Sequence, residues 1–146
     1  MTESALILGY VPRITIAVAR SLQRQGAQVD VATFQAGEKF ISSRAIRHFY
    51  RVPSPDSFPD GFESDVLNII NCGKHAVLIP VNDHALTAVM EHYHGLSQAV
   101  HIGCPPPDIL QLILDKSATL TVAQAAGLRI PKTCFVSSAG EIVSAA

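Results

Sequence analysis

The chain has 146 residues, of which 48% are hydrophobic and 16% charged, and eleven Lys and Arg against twelve Asp and Glu leave a net charge of −1. That length suits about one domain with a real core, and the composition excludes a disordered chain. The mixed charge offers no basic face for nucleic acid, and Arg44, Arg47 and Arg51 of SSRAIRHFYR read as a solvated surface.

The start, MTESALILGY, carries Glu3 and only a short apolar run, so it is neither a signal peptide nor a membrane span. Ala5–Leu8 reads as a buried parallel strand ending at Gly9. Ile14, Ala17, Val18, Ser21 and Leu22 then recur at helical spacing, and Gly26 closes that helix. AQVDVATF is a second strand, which completes a strand–helix–strand unit. The proline-rich VPSPDSFPD is a surface loop. A helix opens at Asp60-Gly61 and runs to Gly73. HAVLIP is a strand, and Asn82-Asp83 starts a helix with Leu86, Val89, Met90 and Tyr93 inward and Gly95 as its stop. AVHIG is a further strand, and PPPDILQLILD is a short apolar helix. Asp115 caps a last helix that Gly127 ends, and LRIPKTCFV turns into a strand.

This alternation predicts an α/β fold, a Rossmann-like, doubly wound and mostly parallel sheet. Ligands on such sheets bind at the carboxyl ends of the strands, here Gly9–Arg13, Thr33–Gly37, Pro80–Asp83 and Gly103–Pro106. The first loop has one glycine where a dinucleotide fingerprint needs three, and Asp30 lies inside its strand, so a nicotinamide site is disfavoured. Asp83 is either a helix-start acid or a residue that also faces a substrate amine or hydroxyl. The histidines have no metal-ligand spacing and read as surface or strand-end residues. Cys72, Cys104 and Cys134 form no CxxC pair, which argues against disulfides and a zinc site and for a reducing cytoplasm. Lys116 sits unfavourably in a first helical turn, so either it is simply exposed or an anion such as a nucleotide phosphate lies nearby.

The order Asp115-Lys116, helix, Ala126-Gly127-Leu128, Pro131 and Thr133, after LILG, ARSLQRQGAQVDVA, VPSP and VLIPVND, resembles the ATP-grasp superfamily. Within it the likeness is to carboxylate-amine ligases such as carbamoyl-phosphate synthase large subunits and biotin carboxylases. The resemblance implies a pre-ATP-grasp domain over residues 1–112, then a linker helix and the start of an ATP-grasp domain over 113–146. It implies Lys116 as a nucleotide-phosphate contact, and Gly9, Tyr10, Arg13, Asn82 and Asp83 on the substrate side. The substrates would be a small carboxylate and an amine. ATP and Mg2+ would serve the full-length protein, with the magnesium ligands outside this chain. The expected partner is the remaining ATP-grasp domain, and a homodimer is compatible. As the front portion of a longer ligase the chain is expected to be inactive alone, with the apolar face of GEIVSAA exposed and the last ten residues fraying or making intermolecular contacts. The alternative is a non-catalytic Rossmann-like module that binds a metabolite or a partner.

Overall fold

The computed structural model describes residues 3–34 and 43–136, so the expectations for Gly37 and GEIVSAA lie outside the described residues. Five parallel strands form one sheet in the order β3-β2-β1-β4-β5. They are β1 Ser4–Leu8, β2 Gln28–Thr33, β3 Phe49–Arg51, β4 Val77–Pro80 and β5 His101–Ile102. The fold is the expected Rossmann-like α/β sheet. β1 is buried at every position, as a central strand must be when helices cover both faces of a parallel sheet. It runs in register with β2 from Ser4↔Gln28 to Leu8↔Ala32 and with β4 from Ala5↔Val77 to Leu8↔Pro80.

Alternate strand residues feed two cores. On one face, Leu6, Leu8 and Leu78 pack with Phe62, Val66 and Ile70 of helix α2 (Pro59–Gly73), Val89 of α3 (Asp83–Glu91) and Leu96 of α4 (Tyr93–Ala99). On the other, Ile7, Val29 and Val31 pack with Val18, Ala19 and Leu22 of α1 (Pro12–Arg24). By contact the chain divides into two compact units, Met1–Pro107 and Asp108–Ala146. Helix α5 is Pro107–Leu114 and α6 is Lys116–Ala125. Asp115 caps α6, its Oδ1 accepting from the N–H groups of Ser117 at 2.8 Å and Ala118 at 3.1 Å. Gly127 follows with φ 77° and ends the helix as expected.

Four local expectations are corrected. The inward face of α1 centres on Thr15 and Ala19, leaving Ile14 46% exposed. Thr15 can be buried because its Oγ1 accepts the Val11 N–H at 3.2 Å, a local bond that hydrophobic periodicity does not register. β3 went unrecognised because three residues are too short a run to show alternation; ladder bonds from Val31 N–H to the His48 carbonyl and from Val52 N–H to the Thr33 carbonyl hold it. Gly95 does not stop a helix but lies within α4, the break falling at His92. A Cβ there would sit 1.7 Å from Glu63 Oε1, and Glu63 Oε2 is 2.8 Å from His92 Nδ1. Gly95 thus gives room to the Glu63 side chain, which meets His92 at the break between α3 and α4. Finally, LRIPKTCFV contains no strand among the described residues, where 131–136 is exposed and irregular. A strand needs a ladder partner, and the described part of its unit supplies none.

The arginine and histidine readings also change. Asp30, buried in β2, is the centre of a polar cluster. Arg47 donates Nε to Oδ1 at 3.0 Å and Nη2 to Oδ2 at 2.6 Å. The His48 backbone N–H donates to Oδ1 at 3.2 Å, and His75 Nε2 lies 3.0 Å from Oδ2. Arg47 is exposed, as expected, yet also anchors a buried carboxylate, and His75, at a strand end as expected, has a wholly buried side chain. Such a cluster is tolerable inside a protein because the carboxylate is paired and hydrogen-bonded on both oxygens.

Helix α2 ends at Lys74, which takes the left-handed conformation with φ 49°. Glycine is the usual residue there, since a Cβ costs about 1–2 kcal/mol in that region. Lys74→Gly is accordingly expected to stabilise the chain by about 1 kcal/mol after glycine's greater chain entropy is subtracted, read as a raised urea midpoint.

Candidate functional site at the strand-order reversal

The chain leaves β1 toward β2 on one side, and the sheet is later extended on the other by β4, so the strand order reverses between β1 and β4. Beyond the carboxyl ends of two such strands the loops part and leave a crevice. Here those loops are Gly9–Val11 and Val81–Asp83. Backbone bonds tie both to the sheet, from Gly9 N–H to the Ala32 carbonyl at 2.9 Å and from Val81 N–H to the Leu8 carbonyl at 3.0 Å. The crevice, about 410 Å³, is lined by Val11, Ile14, Val81, Asn82, Asp83 and His84.

Gly9 is required twice over. Its φ is 87°, and a Cβ would lie 2.9 Å from Asn82 Oδ1 and 3.0 Å from the Ala85 Cβ. Asn82, with extended backbone, is the N-cap of α3, its Oδ1 accepting the Ala85 N–H at 2.8 Å. This frees Asp83, which lies exposed in the first turn beside His84, where a carboxylate favours the helix dipole. Gly9→Ala is expected to cost about 2 kcal/mol from the positive φ and the displaced cap together. Asn82→Ala is expected to cost about 1 kcal/mol through the cap alone. Urea unfolding of the two variants checks both.

The other candidates are placed differently. Tyr10 points inward, only 2% exposed, and meets Phe49 edge-on at 5.8 Å between ring centres. Arg13 is exposed on α1 and lines a separate hollow with Pro12, Ile16, Ala17 and Arg20. Lys116 is the exposed first residue of α6 in the second unit. Of these candidates Asn82 and Asp83 line the crevice; Gly9 is buried against Asn82, Tyr10 lies in the core, Arg13 lines a separate hollow, and Lys116 belongs to the second unit.

Sequence reasoning missed a neighbouring cavity of about 180 Å³ lined by Phe34, Pro55, Asp56, His84, Thr87 and Glu91 among others. Phe34 is held edge-on against Phe62, 5.6 Å between ring centres. Asp56 and Glu91 form no ion pair among the described residues. His84 lines both spaces and joins them. Only Phe34, at the end of a predicted strand, carried a sequence signal; Asp56 lay in a loop with no visible partner. Among the described residues no group of three or more His, Cys, Asp or Glu could hold a metal ion, and no helix is long and apolar enough to cross a membrane.

A parallel sheet ordered 3-2-1-4-5 is the Rossmann-like fold that the sequence predicted. No protein-family model matches the sequence, and no curated protein matches it either. Solved structures do. The chain is similar to L-amino acid ligase from Bacillus licheniformis, with TM-score 0.68 and 13% identity over 99% of this chain and 41% of that one. It is similar to N5-carboxyaminoimidazole synthetase from Staphylococcus aureus complexed with ADP, with TM-score 0.62 and 16% identity over 99% and 36%. For the biotin carboxylase domain of a single-chain bacterial carboxylase the values are 0.61 and 18% over 98% and 33%. Identities this low establish a shared fold, and the chain spans well under half the length of each of these proteins.

Proposed function

We propose that the chain is the substrate-side, N-terminal part of an ATP-dependent ligase that activates a carboxylate as an acyl phosphate and couples it to an amine or similar nucleophile. The observation that carries this reading is the crevice lined by Asn82 and Asp83 at the strand-order reversal, in a fold shared with ligases and carboxylases. Gly9 lets the Asn82 side chain pack against the end of β1, as only a residue without a Cβ can. Asn82 holds the start of α3 in place, and Asp83 and His84 offer a carboxylate and an imidazole to an incoming amine or hydroxyl. Asp56 and Glu91 extend that acidic wall toward Phe34. Tyr10 supports the first loop from within the core, and Arg13 meets substrate only where a ligand reaches over the first turn of α1.

Lys116 is assigned to a nucleotide phosphate, with residues 113–146 as the entry to the nucleotide-binding domain. ATP supplies the phosphoryl group that makes the carboxylate reactive, and the residues that hold Mg2+ belong to that further domain. Alone, the chain is expected not to turn over ATP when supplied with amino acids as both carboxylate and amine; phosphate release above background would overturn that expectation. Binding is tested on the labelled chain by nitrogen–proton spectra during titration with each of the twenty amino acids. Saturable shifts at Gly9, Asn82, Asp83 and His84 with at least one of them support the assignment. Shifts confined to other parts of the sheet contradict it.

A further inference from the structure

A separate pocket opens at the opposite edge of the sheet, where β1 and β2 begin. Its volume is about 420 Å³, and its walls include Ser4, Gln28, Arg47, His48, Tyr50 and Lys74. Every one of these side chains can donate a hydrogen bond, and two are cationic. Among the described residues no carboxylate lines the pocket. Asp30 stands behind it, wholly buried and engaged by Arg47, His48 and His75, which leaves the positive charge of Lys74 unbalanced. Arg47 Nη1 donates to Gln28 Oε1, so the Gln28 amide presents its N–H hydrogens elsewhere. Three carbonyls near the end of α2 are engaged: His75 N–H bonds to Ile70, Lys74 N–H to Asn71, and the His75 ring meets Ile69 at 3.1 Å.

Two features here have no structural benefit of their own. The Ser4 hydroxyl is buried without a hydrogen-bond partner, a state that costs free energy and that folded proteins avoid. Lys74 alone among the described non-glycine residues has a positive φ. Backbone strain of this kind persists where a side chain is used, and this lysine stands where glycine would relieve the strain.

We propose that this pocket binds a small ligand through an oxyanion, carboxylate or phosphate, held chiefly by Lys74 with Arg47 and His48 beside it. The pocket has room for an organic body on the anion, which the Tyr50 ring can flank. Lying at the opposite edge from the crevice, this site is independent of the proposed ligase function and suits an effector.

The test titrates the whole chain with sodium phosphate, sodium acetate and sodium chloride at matched ionic strength, following backbone amide shifts. Saturable shifts at Ser4, His48 and Lys74 are expected with phosphate or acetate and not with chloride, and whichever anion binds more tightly identifies the headgroup. Lys74→Gly, which relieves the backbone and so keeps the fold, is expected to weaken that binding by about tenfold or more, the usual worth of a charged hydrogen bond. Ser4→Ala is expected to keep or raise the melting temperature while also weakening binding. Shifts that fail to saturate, that centre on Asn82 and Asp83, or that are unchanged in Lys74→Gly would overturn the proposal.

Discussion

Replacing Asp30 with alanine is expected to destabilise the chain by about 3–5 kcal/mol, the usual cost of leaving a buried charge partner stranded. The loss is large because one carboxylate of β2 holds two other segments of the chain. Arg47 and His48 precede β3, and His75 precedes β4, and all meet at Asp30. Arg47, with a side chain 36% exposed, can turn toward water, but the His75 ring is wholly enclosed. Its second nitrogen faces the Ile69 carbonyl, so without Asp30 the ring keeps only one partner.

The same cluster sets a pH dependence. Burial pushes the Asp30 carboxyl up, but hydrogen bonds from Arg47 and His75, and their charges, outweigh it and hold the group below the ordinary aspartate range. A carboxyl more acidic in the folded than in the unfolded state stabilises fully above its unfolded value, about 3.9. That contribution is lost as pH falls from there through the lower folded value. Asp30→Asn is already weaker at neutral pH, and its difference from the parent is expected to shrink below about pH 4. Urea midpoints of the two proteins between pH 7 and pH 2 measure this; a constant difference across that range would show that the carboxyl has the same pKa folded and unfolded.

Gly73→Ala is expected to cost about 2–4 kcal/mol, although alanine in a helix normally gains about 1 kcal/mol over glycine. A Cβ at position 73 would lie 2.1 Å from His75 Cε1 and 2.6 Å from its Nδ1. The ring cannot yield without leaving Asp30, because it is buried on all sides. Backbone conformation plays no part, since Gly73 lies within α2. The double variant Gly73→Ala with His75→Ala should therefore be less unstable than the two single changes added, because both act on one contact. Strict additivity in thermal or urea unfolding would refute this account of Gly73.

Strands and helices with clear periodicity were legible from the sequence: the apolar run of β1, the spacing of α2 and the cap and glycine around α6. Gly9 was legible too, as the glycine that ends a strand at a helix start. The rest depended on contacts distant in sequence. Asp30 inside an apolar strand demanded a buried partner, yet Arg47 and His75 lie 17 and 45 residues away. Gly73 and Gly95 read alike as helix stops, and only the positions of His75 and Glu63 show that each makes room for a side chain. At the crevice, Asn82 and Asp83 were expected, but which of them caps α3 depends on one local bond. Tyr10 seemed a site residue by position and is a core residue by packing. Asp56 met His84 and Glu91 through tertiary folding alone.

The central claim is that this unit works as the front of an ATP-dependent ligase. Reading the transcript past the codon for Ala146 tests it most directly. The account predicts an open frame encoding a lysine-bearing strand, a glycine-rich loop and a late Glu/Asn pair for magnesium. A stop codon directly after Ala146 would contradict it.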